Sequence, residues 1–370
     1  MEYSGYDPAR PGTNLLEDNA DKLAELGLNP DELCKTLEFL CNAPAQPSST
    51  IAIAMGYAVV AVNVRGTGCS GGAYDYFEPL QVLDGYDVIE TVAAQDWVYD
   101  HKVGMVGLSY PGISQLFVAR SQPPSLAAIT PLSVMDDTVR GTLTPGGIFN
   151  EGFALTWADE VLGKAEPYGQ GWEQELVDDG DEICEENQQL RGQNVDVTER
   201  ALSYTHYPKE LGDWYNPSLF GKDITVPIFL AGSFQDEQTG GRFARLWGKF
   251  PNSPLVRLSM WNGAHADGYA PMNLSEWKAF LDLYVADQIP SMPPMLNLLA
   301  PVLMDEVFGA SLALEPVPYS EYPSVEEARA AYEAEKPVRL VLESGAADPE
   351  QPGGPGGPPS TASTSGLPRM

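Results

Sequence analysis

The chain has 370 residues, 43% of them hydrophobic, which is ample for a buried core and more than one core usually holds. Its 52 acidic against 21 basic residues leave a net charge of −31. That balance sets aside nucleic acid and anionic membrane surfaces as expected partners, since both need a basic face.

Met1 is followed at once by polar E-Y-S-G, so no signal peptide is visible. Beyond it, apolar runs alternate with helical patterns, which predicts an α/β protein with a mostly parallel sheet flanked by helices. Strands are expected at 57–64, 103–106, 126–130, 226–231 and 255–260, and helices at 80–94, 113–120, 241–250 and 274–287. The strands are short and rich in Val, Ile, Leu or Ala, as parallel strands buried on both faces are. No apolar run is long enough to span a bilayer. Cys34, Cys41, Cys69 and Cys184 follow no metal-ligand spacing and read as free thiols.

After the first strand comes R-G-T-G-C-S-G-G, in which Gly66, Gly68 and Gly71 fit a dinucleotide fingerprint. Its context fails. Helix periodicity begins only near Leu80, and Asp84, Asp87 and Glu90 read as one polar helix face. A tight loop near the active site is the better reading, with a dinucleotide-binding oxidoreductase as its rival. His101 follows, at the far end of the next strand, and reads as a surface residue.

The strand at 103–106 runs into Gly107-Leu108-Ser109-Tyr110-Pro111-Gly112 and then a helix pattern, close to the G-x-S-x-G nucleophile elbow. A sharp strand-to-helix turn projects a serine hydroxyl clear of the backbone. The helix N-terminus then offers N–H groups to developing negative charge. Pro111 departs from the motif, although proline suits the first helical turn. The competing reading of Ser109 is an ordinary helix N-cap.

Residues 132–221 break the alternation and read as a helical insertion. Phe149, Phe153, Trp157, Trp172 and Trp214 would mostly pack it, with one or two lining a substrate pocket. His206 lies inside it and is expected to pack or cap locally. After the strand at 226–231, G-S-F-Q-D-E-Q-T-G-G puts Asp236 on a loop, with Glu237 as competitor and Asp267 as a weaker one. After the strand at 255–260, W-N-G-A-H-A-D-G puts His265 on the next loop. The order Ser109, Asp236, His265 is that of a Ser–Asp–His hydrolase, in which the carboxylate holds an imidazole that takes the serine proton. Further on, 324–334 suits a short helix and 337–342 a strand. Residues beyond 346 are Gly/Pro/Ser-rich and expected to be disordered.

Together N-V-R-G-T-G-C-S-G-G (63–72), G-L-S-Y-P-G (107–112), G-S-F-Q-D (232–236) and G-A-H (263–265) resemble the cocaine-esterase and X-Pro dipeptidyl-peptidase family of α/β-hydrolases. E-Y-S-G-Y-D-P (2–8) is similar to the family segment that ends the third strand. The resemblance implies Ser109 as nucleophile, His265 as base, Asp236 as its partner, and an oxyanion hole from the Tyr6 hydroxyl and the Tyr110 N–H. It implies no cofactor and no metal, and a small ester or amide or a short peptide as substrate, cleaved through an acyl-enzyme.

Two departures stand out. The third strand is a stub, residues 2–4, expected between the fourth and fifth strands, and the preceding strands are missing. A C-terminal jelly-roll domain is missing too. The expectation is therefore a truncated or mis-started relative. It is cytoplasmic by default, unless a signal peptide went with the missing N-terminus. Its layout is α/β-hydrolase core (1–131 and 222–290), helical cap insertion (132–221), C-terminal extension (291–345) and tail (346–370); no oligomeric state follows. The rival from another class is a catalytically inactive binding protein of the same fold.

Overall fold

The computed structural model describes residues 1–341, apart from residues 13, 19, 26, 28 and 37. The tail expected to be disordered lies outside the described residues.

Among the described residues, seven short strands carry the fold: β1 (Glu2–Ser4), β2 (Ala61–Asn63), β3 (Val103–Met105), β4 (Leu126–Ile129), β5 (Ile228–Ser233), β6 (Val256–Trp261) and β7 (Val338–Val341). All pairings are parallel. β1 pairs with β2, and β3 to β7 form one sheet in chain order. Met1 joins the two groups, because its carbonyl accepts the Val106 N–H at 3.0 Å and its own nitrogen donates to the Gly104 carbonyl at 2.6 Å. The three-residue stub thus stands between the second and third strands of this numbering, and Met1 and Glu2 have backbone partners there.

Strand alternation builds two cores. Ile228 and Leu230 of β5 pack into one layer with Ile113, Phe117 and Val82. Phe229 and Ala231, one residue out of step, pack into the other with Trp277, Phe280 and Tyr332. Every residue of β5 is buried, which explains its unbroken apolar run. Each such fully buried large side chain contributes roughly 1.5–3 kcal/mol. Pro79–Ala93 and Tyr110–Ala119 belong to the first layer, and Pro271–Leu281 to the second.

Several expectations change. The strand expected at 57–64 narrows to Ala61–Asn63. The helix expected at 241–250 winds only as a 3₁₀ segment, Gly241–Leu246, and Gly248 at φ +79° turns the chain away from any continuation. Helical segments not foreseen are Leu15–Asp18, Ala20–Glu25, Pro30–Thr36, Glu38–Cys41 and Pro47–Ala54, and another runs Pro294–Phe308. The cysteines are not free thiols. Cys34 bonds Cys41, and Cys69 bonds Cys184, their Cα atoms lying 5.8 and 4.6 Å apart, within disulfide reach. Separations of 7 and 115 residues gave no hint of either pairing. Among the described residues, no helix is long and apolar enough to cross a membrane.

Between β4 and β5 the chain is helical, in short pieces that include the π-helical turns Thr138–Leu143, Glu151–Leu155 and Ala158–Leu162. This segment closes over the carboxyl ends of the strands and walls a cavity that opens on Ser109.

Candidate active site

β3 leads into a turn at which Ser109 sits at φ 69°, ψ −127°, a backbone region that side-chain-bearing residues rarely occupy. The turn is tight because its glycines permit it. A Cβ on Gly107 would lie 2.5 Å from Pro111 Cβ, and one on Gly112 would lie 2.5 Å from the Leu132 carbonyl oxygen. Pro111 therefore fits only because Gly107 is bare, and it stands in the first turn of Tyr110–Ala119, where its missing N–H costs nothing. The Ser109 side chain makes no N-cap hydrogen bond. Its N–H donates to the Leu132 carbonyl at 3.0 Å, which fixes the turn against the strand end that follows β4.

Asp236 stands on the loop after β5, 7% exposed. One carboxylate oxygen accepts the backbone N–H groups of Gln238 and Thr239 at 2.8 and 2.7 Å. The other accepts the Thr239 hydroxyl at 2.7 Å and His265 Nδ1 at 2.8 Å. Burial opposes ionisation of this carboxyl, but the hydrogen bond and charge of His265 and the two bonds from Thr239 outweigh it and hold it down to about 2. The acid is thus a carboxylate at neutral pH, aimed at an imidazole.

His265 begins a 3₁₀ turn after β6 and is 6% exposed. Two carboxylates grip that turn: Glu237 accepts the His265 N–H at 2.9 Å, and Asp267 accepts the Ala264 N–H at 2.7 Å. Glu237 and Asp267, weighed in the sequence as competitors of Asp236, hold the turn instead of the imidazole. The Ser133 hydroxyl donates to the His265 carbonyl at 3.5 Å, and Gly268 abuts the Leu108 side chain. The histidine turn and the serine turn therefore meet along one edge of the sheet. Among the described residues, no hydrogen bond joins His265 to Ser109; the partner of Ser109 Oγ is the Tyr6 hydroxyl at 3.3 Å.

Tyr6 follows β1. Its carbonyl is held by Asn63 Nδ2 at 2.8 Å and Gln170 Nε2 at 2.6 Å. Its hydroxyl is raised in pKa by burial, against hydrogen bonding from Ser109, the Trp157 indole and the Tyr110 backbone. It therefore stays protonated and able to donate. The Tyr6 hydroxyl thus sits between Ser109 Oγ, 3.3 Å away, and the Tyr110 backbone.

The remaining expectations separate cleanly. His101 Nδ1 contacts the Ala93 carbonyl at 2.7 Å, away from the site. His206 is exposed and bonds Thr205, yet it lines the cavity. Phe149, Phe153 and Trp157 line the cavity too, more than the one or two aromatics expected, whereas the Trp172 indole bonds Gln170 and the Trp214 indole bonds the Phe77 carbonyl. The glycine loop spends the N–H groups that a phosphate cradle would offer: Gly66 donates to the Gly71 carbonyl at 2.9 Å, Thr67 to the Val64 carbonyl at 3.2 Å and Ser70 to the Thr67 carbonyl at 3.0 Å. Its carbonyls are taken by the helical segment, Gly68 by Gln188 and Arg191, Gly66 by Asn194, and the next helix starts only at Pro79. Thr239 and Gln170 support the site without any motif that would have singled them out. No group of His, Cys, Asp and Glu suited to a metal ion occurs among the described residues.

A sequence profile of the X-Pro dipeptidyl-peptidase (S15) family matches residues 1–267. Proteins of Mycobacterium bovis and Mycobacterium tuberculosis, each named as a candidate serine esterase, are 33% identical over 106 residues, 28% of this chain and 17% of theirs. An aminopeptidase from a marine-sediment Thaumarchaeota archaeon superposes with a TM-score of 0.52 at 16% identity, over 77% of this chain and 50% of its own. A CocE/NonD family hydrolase of Staphylococcus aureus gives a TM-score of 0.47 at 22% identity, over 60% of this chain and 36% of its own. The chain spans under a fifth of the curated relatives it matches and half or less of these two solved ones. The parallel sheet with flanking helices is that of the α/β-hydrolase fold.

Proposed function

The chain belongs to the X-Pro dipeptidyl-peptidase (S15) family, and from that premise we propose that it is a serine hydrolase that cleaves ester or amide bonds through an acyl-enzyme. The observation that carries the reading is the buried 2.8 Å contact of His265 Nδ1 with Asp236, on the same sheet edge as a strained Ser109 whose Oγ lies 3.3 Å from the Tyr6 hydroxyl.

The ionised Asp236 fixes the proton of His265 on Nδ1 and leaves Nε2 as the base. Nε2 takes the proton of Ser109 as Oγ attacks the substrate carbonyl carbon. The carbonyl oxygen becomes an oxyanion, which Tyr6 and the Tyr110 N–H stabilise at the positive end of the helix Tyr110–Ala119. The imidazolium then gives its proton to the leaving alcohol or amine. Water repeats the sequence on the acyl-enzyme, releases the acid and restores Ser109. In the resting state the hydroxyl turns to Tyr6. Catalytic hydrogen bonds commonly close only once substrate binds.

The test is hydrolysis of a panel of 4-nitrophenyl esters and X-Pro 4-nitroanilides by the parent and by Ser109→Ala. Turnover lost in the variant supports the reading; turnover retained removes Ser109 from it.

A further inference from the structure

The cavity that opens on Ser109 has a volume of about 590 Å³, room for a sizeable organic acid. Its walls are largely aromatic and aliphatic, with Tyr76, Phe149, Phe153, Trp157, Leu162 and Tyr204 among them. Its charged residues are of one sign. Arg140, Arg200 and Arg242 line it, and no Asp or Glu does among the described residues. In a chain with 52 acidic and 21 basic residues, that lining runs against the composition.

The three arginines differ in what they have left to offer. Arg200 is spent, since both its terminal nitrogens bond Asp75 and one also reaches the Tyr215 hydroxyl. Arg242 donates to the Arg140 carbonyl at 3.1 Å and has its Nε 3.4 Å from Asp136, a buried carboxylate that Arg245 shares at 3.5 Å. Arg140 lies over the Tyr207 ring at 3.9 Å, and its nearest carboxylate oxygen, on Asp137, is 3.6 Å away. The oxygens of Asp137 are already engaged by the Arg140 backbone N–H at 2.9 Å and by Asn216 at 2.8 Å. The Arg140 guanidinium therefore keeps its donors, half-exposed on the cavity wall and held flat by an aromatic face. Asp136 and Asp137 face three guanidiniums, so one positive charge is in excess, and neither carboxylate lines the cavity.

We propose that this cavity receives the acyl half of the substrate and selects acyl groups that carry a carboxylate over those that carry an ammonium, with Arg140 meeting the anion. The proposal rests on Ser109 being the residue that is acylated. It separates this chain from the chemistry that a dipeptidyl-peptidase name implies. The acyl half of such a substrate presents a free α-ammonium, which needs a carboxylate to receive it, and this cavity presents guanidinium instead.

Three esters of matched length test it: the mono-4-nitrophenyl ester of adipate, 4-nitrophenyl heptanoate and 4-nitrophenyl 6-aminohexanoate. The expected order of kcat/KM is adipate, heptanoate, 6-aminohexanoate, with at least a tenfold gap between the first and last that narrows as salt is added. Arg140→Glu is expected to close or invert the gap, and Arg140→Lys to keep most of it. A parent enzyme that prefers the ammonium ester, or a gap that Arg140→Glu leaves unmoved, overturns the proposal. Binding of the adipate and 6-aminohexanoate esters to Ser109→Ala protein, measured by calorimetry, reads selection without chemistry. If no ester is turned over by the parent, the hydrolase reading fails. The binding arm still decides the cavity's preference: tighter binding of the adipate ester upholds it, and equal, reversed or absent binding overturns it.

Discussion

Asp236→Asn is the sharpest perturbation of the site. The carboxylate accepts four hydrogen bonds, two at each oxygen. An asparagine can keep its oxygen on the N–H groups of Gln238 and Thr239, so the loop is expected to hold. The amide nitrogen then faces Thr239 Oγ1 and His265 Nδ1. The hydroxyl can rotate to accept, but a protonated Nδ1 cannot accept. The imidazole must shift its proton to Nε2, the nitrogen that has to receive the proton of Ser109. Loss of the correct tautomer in a triad of this kind costs roughly 10⁴ in kcat, or about 5.4 kcal/mol at 1.36 kcal/mol per tenfold. Hydrolysis of a 4-nitrophenyl ester, followed beside circular dichroism of the same samples, is the assay. A folded variant within about tenfold of the parent would refute the reasoning, because a wrong tautomer cannot leave a base of that strength. The same carboxylate sets a pH dependence. Its folded pKa, about 2, lies below the ordinary 3.8, so its stabilisation is complete above about pH 4 and is lost as pH falls towards 2. In acid titrations Asp236→Asn is expected to lack that part of the stability loss, and a variant with an unchanged acid profile would contradict the assignment.

Further outcomes follow from the same geometry. Tyr6→Phe removes one donor to the oxyanion and is expected to lower kcat by roughly 10²–10³ with KM little changed; a variant affected only in KM would move Tyr6 to substrate binding. Cys69→Ser with Cys184→Ser opens a loop of 115 residues and is expected to lose about 4–5 kcal/mol of stability on the chain-entropy argument, read as a lower denaturant midpoint; an unchanged midpoint would contradict it. Phe280→Ala empties a fully buried position and is expected to cost about 3–5 kcal/mol by urea unfolding. That titration also tests whether the chain unfolds cooperatively, as a protein holding three distant side chains in register must, and a featureless transition would favour the inactive rival.

The parts of the fold legible in the sequence were those where chemistry leaves a local mark. G-L-S-Y-P-G reads as strand, turn and helix because each residue type suits one backbone state, and the structure has a strained serine there. Asp236 and His265 were legible by their place after successive apolar strands, and the structure brings them to 2.8 Å. The rest was silent for physical reasons. The helix Pro47–Ala54 runs eight residues, too short to show periodicity. Disulfide pairing depends on where distant chain segments meet, which a spacing of 115 residues does not record. The glycine loop resembles a phosphate cradle until the N–H groups of Gly66, Thr67 and Ser70 are seen donating to the carbonyls of Gly71, Val64 and Thr67. Tyr6 came only from resemblance, because a tyrosine near a chain start carries no signal until its hydroxyl is found beside Ser109.

The central claim is that the oxygen of residue 109 is the atom that becomes acylated. Reaction with a fluorophosphonate, followed by mass mapping of the modified peptide, tests it most directly. The account predicts one adduct, on Ser109, that disappears in Ser109→Ala and forms far more slowly in His265→Ala. An adduct on another residue, or undiminished labelling of Ser109→Ala, would contradict it.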